Sequence, residues 1–170
     1  MIYFVTENYL KTYTSVTQNV DATDLLPIMK TAAEMSVKSL LGTFFFDDLL
    51  VKYNAQTLDP DETILVELMQ PVIAWKAASD ATFELGFQVK NKGPQTQSGD
   101  FSDSPDFKSV SFNFHHKLQK SEYYQNGLIK FLTKNKDLYS VFLSDDNYDS
   151  SLKDCDPDND TTQNTNILFI

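Results

Sequence analysis

Four aspartates at alternate positions have the spacing with which an EF-hand calcium loop begins: Asp154, Asp156, Asp158 and Asp160. Such a loop also needs a glycine at its tight turn and a bidentate glutamate at its end. Asn159 stands at the glycine position, Thr165 stands at the glutamate position, and Pro157 interrupts the run. The pattern therefore predicts a solvated acidic segment without a calcium site.

The histidines and the cysteine are the other residues with strong metal or nucleophile chemistry. His115 and His116 are the only histidines, and because they are adjacent their side chains diverge. No cysteine or acid lies at the spacing that would complete a closed zinc site. Cys155 is the only cysteine, so an internal disulfide is excluded. We expect the histidine pair to lie at a junction between a strand and a helix.

Neither hydrolysis nor phosphate binding has a recognisable pattern in this sequence. No serine lies in a nucleophile elbow, and the five glycines form no phosphate-binding run. The carboxylate groups Asp47-Asp48 and Asp59/Asp61/Glu62 lie at predicted helix starts, where acids interact favourably with the helix dipole. Helix capping explains them, so we predict a protein that is not an enzyme and uses no cofactor.

Net charge and basic composition argue against nucleic-acid binding. The formal net charge is −10, and all 14 basic residues are lysine. Arginine is the preferred partner of phosphate and guanine, and positive charge supplies most of the affinity for DNA. The first residues lack the basic region of a signal peptide, and no apolar run reaches the length of a membrane span. We therefore expect no direct DNA binding, no membrane association and synthesis in a reducing cytoplasm.

One long helix over residues 60–90 is the element around which the others are expected to pack, because its apolar residues recur at helical spacing. Asp59 can cap the first amide groups, Pro60 suits the first helical position, and Glu62 is placed to complete a capping box. At 1.5 Å per residue this helix would be about 46 Å long. Pro71 predicts a kink. The alanine-rich half that follows permits close approach by a neighbouring helix.

Shorter helices are predicted on either side of the long one. Three precede it: residues 7–12 capped by Thr6, residues 25–41 capped by Thr23 or Asp24 and ended by Gly42, and residues 44–53 capped by Thr43. The second of these has one inward stripe: Leu26, Met29, Ala33, Val37 and Leu40. A last helix is expected over residues 116–135, with four inward residues: Tyr124, Leu128, Phe131 and Leu132. Gly127 costs about 1 kcal/mol relative to alanine in a helix, so it predicts close packing there.

A loop and a strand are predicted between the two longest helices. Residues 94–109 are rich in proline, glycine, serine and aspartate, a mixture typical of a functional or disordered loop. Residues 110–114 alternate apolar and polar side chains, the pattern of a half-buried strand. The predicted fold class is therefore mainly α, a helical bundle with one very long central helix, a long loop and a short β element.

An acidic extended C-terminal tail completes the predicted architecture. Residues 144–166 carry seven aspartates against one lysine and can bury very little. They are followed by a wholly apolar group, Ile167, Leu168, Phe169 and Ile170. This group either folds back on its own domain or docks on a neighbouring protein. We divide the chain into a helical domain, residues 1–143, and the tail, residues 144–170.

Several stretches between residues 2 and 143 carry a likeness to a known family. They are Phe4-Val5-Thr6 with Asn8-Tyr9-Leu10, Val20-Asp21, Leu41-Gly42-Thr43-Phe44-Phe45, residues 70–78 (QPVIAWKAA), residues 89–93 (VKNKG) and residues 130–135 (KFLTKN). These stretches resemble the head-to-tail connector (adaptor) proteins of tailed bacteriophages, and the likeness is greatest to the ring proteins of the neck in crAss-like phages that infect Bacteroides. The acidic tail is not part of the resemblance.

This resemblance implies a structural virion protein. Such proteins assemble as a closed ring, usually twelvefold, that contacts the portal and other neck or tail proteins and extends the DNA channel. DNA would pass through the lumen without specific binding, since an acidic lining repels it. The protein would be assembled in the bacterial cytoplasm and reside in the neck of the virion.

Three groups of residues are expected to form the contacts between subunits or between rings. They are Pro94, Gln97, Asp100, Phe101 and Phe107 in the loop; Val110, Phe112 and Phe114 in the strand; and Ile167, Leu168, Phe169 and Ile170 in the tail.

The sequence leaves two other classes of protein open, and it also leaves open other proteins of the phage neck. An acidic protein without arginine can be a DNA mimic that occupies a DNA-binding enzyme, although its acids should then be spread at phosphate-like spacing. An enzyme of unknown class would need a pocket with converging polar groups, for which the sequence offers no set. Stoppers and tail terminators belong to the same neck but are richer in β-strand.

Overall fold

The computed structural model describes residues 2–85, 87–90, 93–96, 107–136 and 138–139, and this part of the chain is mainly helical. Its elements, in chain order, are α1 (Glu7–Tyr13), α2 (Ala22–Ala33), a π-helical segment (Glu34–Lys38), α3 (Ser39–Leu41), α4 (Thr43–Ala55), α5 (Pro60–Glu84), strands β1 (Phe87–Lys90) and β2 (Gly93–Thr96), and α6 (Phe107–Lys134). The mainly α prediction is confirmed.

Helix α5 begins where its sequence signals predict. The Asp59 side chain accepts a hydrogen bond from the Glu62 amide at 2.7 Å, and the Glu62 carboxylate accepts one from the Asp59 amide at 3.1 Å. These two bonds form the capping box, and Pro60 occupies the first turn. The helix continues through Pro71 and buries all four of its alanines. Its sequence therefore fixes its start and its inward face.

Replacing Asp59 with alanine is expected to lower the free energy of unfolding by about 1 kcal/mol, because an N-cap side chain contributes about that much. Urea unfolding followed by circular dichroism measures the effect. Asp61→Ala is the matched control, since Asp61 is an acid of the same first turn whose side chain is not the cap. Equal losses in the two variants would contradict the capping-box assignment.

The predicted C-terminus of α5 is wrong. The helix ends at Glu84, and residues 87–90 form β1, which pairs antiparallel with β2 in the register Phe87 with Thr96 and Lys90 with Gly93. The sequence of β1, Phe-Gln-Val-Lys, alternates apolar and polar residues and is followed by a glycine at the start of β2, both typical of a hairpin. Pro94, predicted in a loop, lies in β2 opposite Val89.

The helix that contains residues 22–41 begins and packs differently from its prediction. Its N-cap is Asp21, whose side chain accepts from the Thr23 amide at 2.9 Å, rather than Thr23 or Asp24. Four of the five predicted inward residues are buried, but Leu26 is 54% exposed. The buried face of α2 is Leu25, Ile28, Met29, Ala32 and Ala33, so it includes Met29 and Ala33 of the predicted stripe and extends to the side opposite Leu26.

A π-helical segment interrupts the same helix at Glu34–Lys38. The wider π turn frees backbone groups from the regular helical pattern. The Ser36 carbonyl accepts a hydrogen bond from Gln125 of α6 at 3.3 Å, and the Ser36 hydroxyl donates to the Ala32 carbonyl at 2.5 Å. Gly42 then separates α3 from α4 at φ 82°, a left-handed conformation that favours glycine.

The strand predicted at residues 110–114 is helical, and the histidine pair lies inside a helix. Helix α6 begins at Phe107, so Val110 and Phe114 are one turn apart and face the core together. Phe114 packs against Phe83 of α5 with ring centroids 4.8 Å apart. The alternating pattern at these residues therefore reflects two opposite faces of one helix rather than the two faces of a strand.

Helices α5 and α6 lie antiparallel, with close contacts between side chains and backbone. The Ser79 hydroxyl donates to the Phe114 carbonyl at 3.1 Å, and the Ser121 hydroxyl donates to the Val72 carbonyl at 2.9 Å. Both serines are buried. The Tyr139 hydroxyl donates to the Asp61 carbonyl at 2.9 Å, which places the end of α6 beside the start of α5. The predicted close approach of a helix to the alanine-rich half of α5 is confirmed.

Candidate interaction surface

The outward face of α6 is aromatic between Phe112 and Tyr123. Phe112, His116 and Tyr123 are separated by four and seven residues, so they project from one side of the helix, opposite the buried Ser121 and Leu128. Phe112 is 72% exposed and Tyr123 is 75% exposed. The Phe112 and His116 rings are nearly parallel, at 9°, with centroids 6.4 Å apart. We call these three residues the α6 face.

A shallow depression adjoins the α6 face. It is lined by six residues of α5 and α6: Trp75, His116, Gln119, Lys120, Tyr123 and Tyr124. The Lys120 ammonium lies 4.0 Å from the centroid of the Trp75 ring, within range of a cation–π interaction. Tyr124, predicted to point inward, is 40% exposed at the rim of this depression. The depression extends the aromatic surface from α6 onto α5.

Helix α6 is basic although the protein is acidic. It carries five lysines and one glutamate, a net charge of +4 with neutral histidines, in a chain of net charge −10. Lys117 donates to the Thr82 hydroxyl at 2.9 Å. Burial, and then the nearby Lys120 ammonium, lower the pKa of Lys117. The α6 face is therefore an aromatic surface bordered by positive charge.

The opposite polarity is found where α4 meets the start of α5. Residues 43–62 carry five acids and one lysine, a net charge of −4. Lys52 bonds to Glu62 at 2.6 Å and to Asp48 at 2.9 Å, and these hydrogen bonds raise the pKa of its ammonium group. Burial, and then the charges of nearby acids led by Asp61, raise the pKa of Tyr139. This corner is thus dominated by negative charge.

The outward side of α4 combines these acids with apolar side chains. Phe44 is 73% exposed and Val51 is 60% exposed, and they are two turns apart. Asp47 and Asp48 lie between them, and Asp61 is exposed in the neighbouring first turn of α5. We call these five residues the α4 face. Phe44 is the exposed member of three consecutive phenylalanines, because Phe45 and Phe46 are buried.

Metal-centred chemistry and membrane insertion find no support within the described ranges. There, no three histidine, cysteine or acidic side chains are grouped closely enough to hold a metal ion. No helix of that part of the chain combines the length and apolar character needed to cross a bilayer.

The structure places the predicted contact residues in different environments. Phe107 and Phe112 are exposed on α6, as an interface requires, but Val110 is buried and Phe114 is half-buried against α5. Pro94 lies in β2. The remaining seven lie outside the described residues: Gln97, Asp100, Phe101, Ile167, Leu168, Phe169 and Ile170.

The other residues of the α6 face, and Trp75 in the adjoining depression, were not predicted from the sequence. His116, Tyr123 and Trp75 carry no motif. Extending the helical period of α6 back to Phe107 would have found the two residues on α6, because Phe112, His116 and Tyr123 then fall on one side.

Gly127 does not mark close packing within this chain. A Cβ added to it would meet no atom within 4 Å, so the predicted internal contact is wrong. Gly127 lies on the outward side of α6, one turn beyond Tyr123 and one turn before Lys130. Gly127 therefore lowers helix propensity, as the sequence indicates, but it faces away from the protein's own core.

Gly127→Ala is expected to raise the free energy of unfolding of the monomer by about 0.5–1 kcal/mol, because alanine loses less backbone entropy in a helix and here meets open space. Thermal or urea unfolding at a concentration where the protein is monomeric measures the change. Gly42→Ala is the contrasting variant, since the positive φ of Gly42 should make it destabilising. A destabilised Gly127→Ala monomer would contradict the open site.

The fold and these two faces define a mainly helical protein whose candidate site is a surface for association with other macromolecules. Residues 37–151 match a family of unknown function, DUF6712. The match covers more than half of the chain, so the protein belongs to that family. It includes the helices that carry the α4 face and the α6 face. No curated protein and no solved structure matches the chain.

Proposed function

We propose that this protein is a structural subunit of a ring in the neck of a tailed bacteriophage, where it joins the portal to the tail and extends the DNA channel. The observation that carries the proposal is the α6 face, with Phe112 and Tyr123 about three-quarters exposed on the outside of a well-packed helical bundle. Exposed aromatic groups of this kind mark protein interfaces. The resemblance of residues 2–143 to phage connector proteins supplies the kind of assembly.

Charge is compatible with a DNA conduit. The chain has net charge −10 and its basic residues are all lysine, so an assembled lumen rich in its acids would repel passing DNA. This favours passage over binding. The ring is expected to be closed and twelvefold.

Further contacts are assigned to segments outside the described residues. We propose that residues 97–106 form a long loop that reaches a neighbouring ring through Gln97, Asp100 and Phe101. Residues 144–170 form an acidic extended tail, separate from the helical domain of residues 1–143. Its apolar group, Ile167, Leu168, Phe169 and Ile170, docks on an adjacent protein.

Mass photometry and electron microscopy of the purified protein, with proteomics and microscopy of purified phage particles, test this function. The expected results are a closed ring of uniform subunit number and the same protein in the particle neck. A monomer that is absent from particles would overturn the proposal. Tight inhibition of a DNA-binding enzyme by such a monomer would instead support the DNA-mimic class.

A further inference from the structure

We propose that the α6 face of one copy docks on the α4 face of a second copy, so that subunits associate head to tail. This pairing names the two surfaces that would join neighbouring subunits of the ring proposed above. It rests on that proposed function only for its biological setting. The argument depends on charge, on apolar composition and on the positions of the two faces.

The two faces have complementary charge. Residues 107–123, which carry the α6 face, have net charge +2, and residues 43–62 have net charge −4. Lys108 and Lys120 border the α6 face, whereas Asp48 and Asp61 belong to the α4 face. Two copies that brought α6 faces together would oppose lysines to lysines. Pairing α6 with α4 instead opposes lysines to acids, and such complementarity selects partner and orientation.

Both faces also offer apolar groups inside their charged borders. Phe112 and Tyr123 project from one face, and Phe44 and Val51 project from the other. An aromatic centre with a charged rim is the usual anatomy of a specific interface. Because each face supplies both kinds of group, apolar contact and charge pairing can form at the same time.

The positions of the faces exclude pairing within one copy. The Phe112 end of α6 lies beside Ser79–Thr82 of α5, as the Ser79–Phe114 and Thr82–Lys117 bonds show. The α4 face adjoins the start of α5 through Lys52 and Glu62. The rise along α5 between Asp61 and Thr82 is about 32 Å at 1.5 Å per residue. Two different surfaces, separated by this length of α5 at the Phe112 end, make a heterologous contact, which closes into a ring when the rotation permits.

Two charge-reversed variants of the full chain test the pairing. The first carries Lys108→Glu with Lys120→Glu, and the second carries Asp48→Lys with Asp61→Lys. Each variant alone opposes like charges and is expected to associate at least about 10-fold more weakly than the wild type at low salt. An equimolar mixture restores association, because each reversed face then meets a reversed partner.

The measurement is sedimentation velocity at low ionic strength, supported by the fluorescence of Trp75, the only tryptophan, which lies beside the α6 face. Circular dichroism verifies the fold of each variant. Lys108→Gln and Asp61→Asn are milder substitutions that still lower association, for use where a double reversal unfolds. Asp24→Lys with Glu67→Lys is the matched control, since it reverses two exposed acids elsewhere and should leave association unchanged.

Three outcomes would overturn the pairing. One is a mixture that associates no better than its components. Another is an Asp48→Lys, Asp61→Lys variant that associates like the wild type, which would mean that α6 pairs with itself. The third is a wild-type chain that stays monomeric at low salt, including one whose α6 face binds DNA instead. If mixing the two variants restores association but the protein is absent from phage particles, the proposed function is refuted and the pairing is not. If the protein forms rings in phage particles but mixing does not restore association, the pairing is refuted and the function is not.

Discussion

Phe4→Ala is expected to lower the free energy of unfolding by about 3–5 kcal/mol, the range for removing a large side chain from a core. Phe4 is fully buried, with its ring centroid 5.4 Å from that of Phe46 and 5.3 Å from that of Tyr53. Aromatic pairs at these distances contribute beyond their buried area. The ring therefore holds the first residues of the chain against α4.

The backbone at Phe4 adds to this expectation. Its φ is 60°, a conformation that is strained for a bulky residue and persists only where the surroundings impose it. The Phe4 carbonyl accepts from the Gln70 side chain at 3.0 Å, and Asn54 both accepts from the Ile2 amide and donates to the Ile2 carbonyl. Loss of the ring leaves this strain without its packing support.

Urea unfolding of the monomer measures the effect, with Phe112→Ala as the matched control. The chemical change is the same, but Phe112 is mostly exposed, so its removal should alter stability by less than about 0.5 kcal/mol. Phe4→Gly should be no worse than Phe4→Ala, because glycine adopts positive φ without strain. Similar losses for Phe4→Ala and Phe112→Ala would contradict the placement of Phe4 in the core.

Local signals predicted the parts of the fold that short stretches of sequence control. The caps at Thr6 and Asp59 are formed, since each depends on residues within one turn of a helix start. The end of α5 was not predicted, because apolar spacing continued into residues that pair as a hairpin. The π segment at Glu34–Lys38 was not predicted either, and its Ser36 carbonyl accepts a tertiary hydrogen bond from Gln125 that no local pattern contains.

Only part of the candidate site was predicted from the sequence, namely the residues that are exposed on a helix as well as in the predicted loop and strand. Phe107 and Phe112 are exposed, yet the strand reading also placed Val110 and Phe114 at the interface, and α6 turns both toward α5. A period of two places all three apolar residues on one side, whereas a period of 3.6 places Phe112 opposite Val110 and Phe114. The acidic α4 face was explained by helix capping, which accounts for Asp59 but not for the exposed Phe44 and Val51.

Replacing Phe112 and Tyr123 together with alanine is expected to weaken self-association by about 100-fold or more, while the stability of the monomer changes little. A central aromatic group at an interface contributes 2 kcal/mol or more, about 30-fold in the dissociation constant. Both side chains are about three-quarters exposed in the single chain, so their contacts within it are few. Sedimentation velocity over a concentration series measures the change, with Tyr13→Ala and Met35→Ala together as the control on other exposed apolar residues.

Salt separates the aromatic contribution from that of the lysines. Charge pairs at a surface are screened as ionic strength rises, because the Debye length falls from about 10 Å at 0.1 M to about 3 Å at 1 M. Apolar burial is not screened in this way. The Phe112→Ala, Tyr123→Ala variant should therefore associate weakly at every salt concentration, whereas the Lys108→Glu, Lys120→Glu variant should approach the wild type at high salt. A double alanine variant that associates normally would place the interface elsewhere on the molecule.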